Sequence, residues 1–340
     1  MDYTAQEGLL GKEGQTLLSK KTVCIVGIGA LGSVSAELLT RSGMGRLILI
    51  DSDKVEESNL HRQLLYAQKD INQPKVLAAR THLESINPKI KIETHEVRLT
   101  ADNISLLKSD LILDGTDNLE TRFIINDYAV KNKLPWIYAG AIQTKGFIFP
   151  ILPNQPCFEC LLGHAISEED CETQGILNTT NTIVASIQVV EAFKIITEQA
   201  FAPQLTHINA WDTKIEKIKV KKNPKCQACQ GKFTHAQKAK LSGMPGITIP
   251  EHLQKKEVFI LHYCKTKAAL EVKPLRQLNL DLEKIKKSYT LVSDAGSIIV
   301  IRTTEGDVVV HRQGVLMFKT LKDKEKAKIL TEKIYQAGIS

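Results

Sequence analysis

The sequence contains no apolar run approaching the ~20 residues that a membrane-spanning helix needs. Its first residues, MDYTAQEGLLGKEGQ, lack the basic-then-apolar layout of a secretory signal. No internal repeat or low-complexity tract is visible, which argues against solenoid and fibrous architectures. A cytoplasmic location without membrane attachment is therefore the expectation. Aromatic residues are scarce, at 5%. The hydrophobic share is nonetheless 43% against 24% charged, an ordinary globular balance that can build a real core across 340 residues. The formal net charge of +7 is too mild to predict nucleic-acid binding by itself. It fits an anionic ligand or an acidic partner. Nine lysines fall between Lys214 and Lys240. That stretch reads either as a solvated, mobile segment or as a docking surface.

Short apolar runs alternate with helical patterns over residues 22–140. Thr22–Val26 reads as a buried strand, followed by a glycine turn and a helix to about Ser42. Leu47–Ile50 is a second strand. Pro74 opens a helix with Val76, Ala79, Leu83 and Ile86 on one face, and Asn87-Pro88 ends it. Ile90–Val97 and Leu111–Leu113 read as strands, Asn118–Lys131 as a helix, and Trp136–Ala139 and Phe147–Ile151 as further strands. Such alternation predicts an α/β fold: a Rossmann-like, mostly parallel sheet with helices on both faces. Ile183–Thr197 is a further helix. Residues 231–246 read as a linker between a domain at 1–230 and a small α+β domain at 247–340. In the latter, Val258–Cys264, Ser297–Arg302 and Asp307–His311 look like strands and Leu321–Gln336 like a helix.

The first strand runs into Gly27-Ile28-Gly29-Ala30-Leu31-Gly32, a G-x-G-x-x-G between strand and helix. Glycine permits the tight turn and close approach of a phosphate, and the helix N-terminus supplies unpaired N–H groups. Asp51, 19 residues after Gly32, stands where an acid would bind ribose hydroxyls. These features alone would equally fit an oxidoreductase. The next stretch is more specific: Asp51-Ser52-Asp53-Lys54-Val55-Glu56-Glu57-Ser58-Asn59-Leu60-His61-Arg62-Gln63, then Gln73-Pro74-Lys75, then Asp114-Gly115-Thr116-Asp117-Asn118 with Arg122. In this order the motifs resemble the MoeB/ThiF superfamily of adenylyltransferases, which activate sulfur carriers and are related to ubiquitin-activating enzymes. The resemblance covers about residues 8–230.

It implies ATP-dependent adenylation of the C-terminal carboxylate of a small ubiquitin-like sulfur-carrier protein ending in Gly-Gly, of the molybdopterin or thiamine type, by a homodimer. It implies that Gly27, Gly29, Ala30 and Gly32 cradle the nucleotide, with Asp51 and Asp53 beside them. Ser58, Asn59, Leu60 and His61 would flank it, and Arg62 and Lys75 would supply positive charge to the triphosphate. Asp117 would hold Mg²⁺, next to Asn118. Such chemistry needs no general base, because the carboxylate is already ionised; it needs positioning and neutralisation of charge.

Cys157-Phe158-Glu159-Cys160 and Cys226-Gln227-Ala228-Cys229 form two C-x-x-C pairs, a donor set suited to a closed, structural tetrahedral zinc site, or zinc knuckle. The resemblance points the same way. Cys171 matches a cysteine that relatives use in sulfur transfer, yet its acidic surroundings, Glu169, Asp170 and Glu172, oppose a thiolate. A catalytic role and an incidental one both stay open. Cys24 reads as core. Cys264 ends a strand, as core or as the sulfur-relay residue of a rhodanese-like domain.

Departures from the family's pattern are also visible. Relatives carry R-Y-x-R-Q near the N-terminus, and its second arginine reaches the ATP of the partner subunit. Here Asp2-Tyr3-Thr4-Ala5-Gln6 has neither arginine, which leaves Lys12 or Lys20 as substitutes, or weak catalysis. The proline that relatives place near Asn178-Thr179-Thr180 is missing too. A non-catalytic scaffold that binds a ubiquitin-like tail, an NAD-dependent oxidoreductase and a tRNA-modifying dehydratase are the competing readings.

Overall fold

The computed structural model describes residues 1–162, 175–236, 259–264, 269–274, 278, 280–294, 296, 298–318, 321 and 323–339. The chain divides into two compact units, Met1–Ser242 and Gly243–Ser340.

The first unit runs α1 (Thr4–Lys20), β1 (Thr22–Val26), α2 (Ala30–Arg41), β2 (Arg46–Ile50), α3 (Lys75–Ile86), β3 (Lys91–His95), β4 (Leu111–Asp114), α4 (Leu119–Asn132), β5 (Trp136–Ile142), β6 (Lys145–Ile151), α5 (Phe158–Leu162), α6 (Asn178–Ile196), β7 (Leu205–Asn209) and β8 (Lys214–Ile218). Its strands form one eight-stranded sheet in the order β3-β2-β1-β4-β5-β6-β7-β8. The strands from β3 to β5 are parallel, and β6, β7 and β8 are added antiparallel. The expected mostly parallel sheet is thus present.

Strand residues alternate between two cores. Val23, Ile25, Leu47, Leu49, Leu111 and Leu113 pack with α2, α3 and α6 on one face. Cys24, Val26, Ile48, Ile50 and Ile112 pack with α4 and the paired cysteines on the other. Both faces are covered, which is why the central strands read as unbroken apolar runs.

Some boundaries differ from the sequence reading. The strand expected at Ile90–Val97 shortens to Lys91–His95, and α6 starts at Asn178 rather than Ile183. The lysine-rich stretch contains β8, a paired edge strand whose five residues are all exposed. Residues 231–236, which open the presumed linker, are fastened to α4. The backbone N–H groups of His235 and Ala236 donate to the Asp127 carboxylate at 2.8 and 3.1 Å, and the His235 ring stacks on Phe123 at 4.6 Å.

The second unit holds β9 (Phe259–Cys264), β10 (Ala269–Pro274), α7 (Leu282–Ser288), β11 (Thr290–Asp294), β12 (Ile298–Thr303), β13 (Gly306–His311), β14 (Leu316–Phe318) and α8 (Lys324–Ile339). Its six strands form a sheet ordered β11-β12-β13-β14-β10-β9, with every pair antiparallel. Its core includes Leu270, Val272, Ile299, Ile301, Val308, Ile334 and Phe318. Cys264 closes β9, and the next element is the antiparallel partner β10, not a helix. Among the described residues, no helix N-terminus, the usual anion cradle, follows it directly.

Candidate functional site

The strand order reverses at β1, with β2 on one side and β4 on the other, and ligands in such sheets sit outside the carboxyl ends at that point. The turn after β1 and the loop after β4 meet there because glycines let them. A Cβ on Gly27, which has φ +84°, would stand 2.7 Å from Gly115 backbone atoms. One on Gly115 would stand 2.3 Å from the Gly27 oxygen, and one on Gly32 only 1.9 Å from that same oxygen.

Gly29 differs. Its Cβ would meet nothing nearer than Gln63 Nε2, at 3.7 Å. Packing does not demand a glycine there, so the missing side chain leaves room above the start of α2, whose first turn has no side-chain cap. Open space over unpaired N–H groups fits a phosphate.

Four side chains organise this turn. The Asp51 carboxylate accepts the N–H of Ile28 at 2.7 Å and that of Asp53 at 2.8 Å. Burial pushes its pKa above the usual carboxylate range, opposed by the Lys75 charge. Asp51 is thus already engaged in shaping the glycine turn. The Tyr66 hydroxyl donates to the Ile28 carbonyl at 2.8 Å and lies 3.3 Å from that of Lys75, which ties the turn to the start of α3. Lys75, 6% exposed, points its ammonium at Asp53 Oδ2, 2.9 Å away, and its backbone N–H donates to the Asp53 carbonyl. Asp53 itself is 64% exposed at its side chain, so it can swing out and leave the cation free.

Other residues of the sequence motif serve the loop itself. Asn59 is buried, and its Oδ1 accepts the Glu56 N–H at 3.3 Å. Arg62 is half-buried and donates to the Ser58 carbonyl at 2.9 Å. Ser58 and His61 are exposed, and Leu60 is half-buried. Ala30 is the first residue of α2.

Asp117 lies beyond the end of its strand. β4 stops at Asp114, and Asp117 lies exposed in the following loop. Asn118 caps α4, accepting the Thr121 N–H at 2.9 Å. Arg122 builds the loop: it pairs with the fully buried Asp114 at 2.9 Å and donates to the carbonyls of Thr116 and Ala139. Gln188 of α6 was not singled out in sequence. It donates to the carbonyls of Asp114 and Ile137 at 2.8 and 3.1 Å and accepts from Ser35 of α2 at 2.9 Å. A glutamine inside an apolar helical stripe is the one signal that could have found it.

The structure therefore brings together the glycine turn, the Asp51–Asp53–Lys75 group and the loop carrying Asp117. Cys171 lies outside the described residues, and Cys264 belongs to the second unit.

The two C-x-x-C pairs close on each other. Sulfur–sulfur distances are 3.9 Å for Cys157–Cys160, 3.4 Å for Cys157–Cys226, 3.6 Å for Cys160–Cys229 and 3.5 Å for Cys157–Cys229. Zn–S bonds of about 2.3 Å in a tetrahedron put sulfurs about 3.8 Å apart, so the set fits zinc. The N–H groups of Asn223 and Cys229 point at the sulfurs of Cys160 and Cys226, each at 3.4 Å. The hydrogen bond from Cys157 holds the Cys160 pKa well below the usual thiol value.

The ThiF family model matches residues 3–228. The chain is 37% identical over 237 residues to the sulfur carrier protein ThiS adenylyltransferase of Bacillus subtilis, covering 67% of this chain and 70% of that protein. It is 34% identical to the sulfur carrier protein adenylyltransferase of Thermus thermophilus, covering 65% of this chain and 86% of that one. It is 33% identical to the molybdopterin-synthase adenylyltransferase of Salmonella typhimurium, covering 64% and 90% respectively. Among solved structures, Escherichia coli MccB with ATP superposes with a TM-score of 0.60 at 22% identity, over 67% of this chain and 74% of that one, a likeness of fold. Among the described residues no helix is long and apolar enough to cross a membrane. By its match and its relatives, the chain belongs to the ThiF family, among its adenylyltransferases.

Proposed function

We propose that the protein uses ATP to adenylate the C-terminal carboxylate of a small ubiquitin-like sulfur carrier. A carboxylate oxygen attacks the α-phosphorus, the bond to the bridging oxygen of the pyrophosphate breaks, and pyrophosphate leaves; no proton moves. The observation that carries the reading is the buried Lys75 beside an open glycine turn, held only by an exposed carboxylate partner among the described residues.

In this reading Asp53 releases Lys75 to the triphosphate, and the N–H groups at the start of α2 take a phosphate. Arg62 exchanges its carbonyl partner for phosphate oxygens. Asp117, an exposed carboxylate on the loop that touches the glycine turn, holds Mg²⁺, which neutralises the charge on the leaving pyrophosphate. The Cys157, Cys160, Cys226 and Cys229 set holds one structural zinc. The protein acts as a homodimer in the cytoplasm. The carrier is of the thiamine or molybdopterin type, as in the names of the relatives.

ATP–pyrophosphate exchange with the carrier ThiS tests this. Wild type is expected to exchange, and Asp117→Ala to lose Mg-dependent exchange while keeping its thermal midpoint. Exchange by Asp117→Ala near the wild-type rate would remove the metal role. Ala5, exposed at the start of α1, favours a second reading, a scaffold that binds the carrier without activating it. Carrier binding without exchange in wild type would select it.

A further inference from the structure

The β5–β6 hairpin fixes where α6 begins. The Gln143 N–H donates to the Gly175 carbonyl at 3.0 Å, and the Leu177 N–H donates to the Gln143 carbonyl at 3.1 Å. α6 therefore starts at the carboxyl end of the sheet, as α2 does, and the two helices run side by side in the same direction. The Ser35–Gln188 hydrogen bond sets their register. Two turns toward the N-terminus from that bond, about 11 Å, reach the glycine turn on one helix and Thr180 and Asn181 on the other.

Thr180 is 0% exposed and Asn181 is 1% exposed. Among the described residues, Thr180 Oγ1 and Asn181 Nδ2 have no hydrogen-bond partner. Thr180 shares the sheet-facing side of α6 with Val184, which packs over Gly146, and with Gln188; Asn181 is a turn before Ala185. The backbone N–H groups of Thr180 and Asn181 are taken by the Leu177 carbonyl, and no side chain caps the two before them, at Asn178 and Thr179. A buried donor without an acceptor is costly, and two adjacent ones at a helix N-terminus beside a phosphate turn mark a place for an anion or carbonyl.

The side on which they stand decides the ligand. Lys75, Asp53 and Arg62 belong to the β2–α3 side of the glycine turn, and α6 to the β4–β5 side. In-line displacement at the α-phosphorus needs the attacking group opposite the leaving pyrophosphate. With the triphosphate drawn toward Lys75, the nucleophile arrives from the α6 side.

We infer that Thr180 and Asn181 bind the carrier's C-terminal carboxylate, donating hydrogen bonds that orient it for attack. The inference rests on the adenylation reading above. Both atoms lie beneath the surface, so the tail reaches them by displacing what is packed over them, and the same step expels water from the reacting groups.

The test measures kcat/KM for ThiS and KM for ATP in pyrophosphate exchange, together with the thermal midpoint. The variants are Thr180→Val and Asn181→Leu, close in volume to the native residues, and Thr180→Ser, which keeps the hydroxyl. Losing one hydrogen bond to a charged group is expected to lower kcat/KM for the carrier about tenfold or more in the first two. KM for ATP should stay within about twofold, because the triphosphate contacts are on the other side. Thr180→Ser should retain activity. Because the donors are unpaired in the free protein, Thr180→Val should not lower the thermal midpoint. Unchanged kcat/KM in both variants overturns the inference, as does a lowered midpoint with normal kinetics, the mark of a structural role. A parallel rise in KM for ATP overturns the carboxylate assignment. If wild type gives no exchange with ThiS or with a carrier of the molybdopterin type, the adenylation reading itself falls and this inference falls with it.

Discussion

Glycines at the site do two different jobs, although the sequence writes them identically. Gly32 is there because the Gly27 carbonyl oxygen occupies the space of its Cβ. Gly29 leaves the space above it open, and in the proposed reading a phosphate fills that space. Alanine at the two positions should separate these roles. Gly32→Ala forces backbone apart at the centre of the fold and should cost at least about 1–3 kcal/mol by urea unfolding. Gly29→Ala should leave the urea midpoint near wild type yet weaken ATP binding about tenfold or more, read by calorimetry with ATP. Equal stability losses in both variants would mean that Gly29 is a packing residue. The motif was legible in sequence because strand, turn and helix are contiguous. Asp114 and Arg122 were legible as members of one motif, eight residues apart, though not as an ion pair. The Gln188 bonds were not legible, because their partners come from distant segments that only the fold brings together.

Among the elements, α1 went unread because its pattern is weak: only Gly14, Gln15 and Leu18 are buried along it, and Gly11 breaks its helical geometry. β8 went unread because Lys214-Ile215-Glu216-Lys217-Ile218 is an exposed edge strand whose charges read as a solvated surface. The cysteine pairs were legible despite the long gap between them, since two C-x-x-C motifs define one donor set. They join the segment after β6 to the segment after β8, so a metal held there would cross-link distant elements. Elemental analysis should find about one zinc per chain. Chelation should release it and lower the thermal midpoint, and zinc should restore it; a chain as stable without metal as with it would contradict a structural role.

A second element-scale tie is sensitive to pH. Burial raises the Asp127 pKa above 3.8, even though His235 and Ala236 donate to one oxygen; its other oxygen has no partner among the described residues. A carboxyl with a raised folded-state pKa binds its proton more tightly folded than unfolded. Its favourable contribution is therefore present at low pH and is lost as pH rises from 3.8 through the raised value. Asp127→Asn keeps an acceptor for the two N–H groups and removes the buried charge. Its midpoint should exceed wild type at pH 8, and the gap should close under acidic conditions. A constant gap at all pH values would exclude the charge as the cause.

At the scale of the whole molecule, the place of α1 makes sense of the missing N-terminal arginine, a departure from the family's pattern. α1 packs against the end of α2 farthest from the glycine turn: Gln6 donates to the Ser42 carbonyl at 2.9 Å, and a Cβ on Gly43 would meet the Tyr3 ring at 2.7 Å. α2 has 12 residues, about 18 Å of helix, so Ala5 cannot serve the glycine turn of its own chain. Lys12 and Lys20, exposed on the same helix, start from that same remote end. A residue at position 5 can reach a nucleotide only in a second subunit, which is the arrangement the resemblance implies for the arginine of relatives. Ala5 is exposed, so arginine there displaces nothing and should leave the thermal midpoint unchanged. In a homodimer, Ala5→Arg should restore a charge-assisted phosphate contact and raise kcat/KM for ATP in pyrophosphate exchange about tenfold. That gain should shrink as salt rises and should vanish on dilution below the dimer dissociation constant, measured by analytical ultracentrifugation. A gain that survives dilution to monomer would place the new guanidinium in its own subunit's site and break the argument from the length of α2. No gain in an established dimer would mean that another cation already fills the place opposite Lys75.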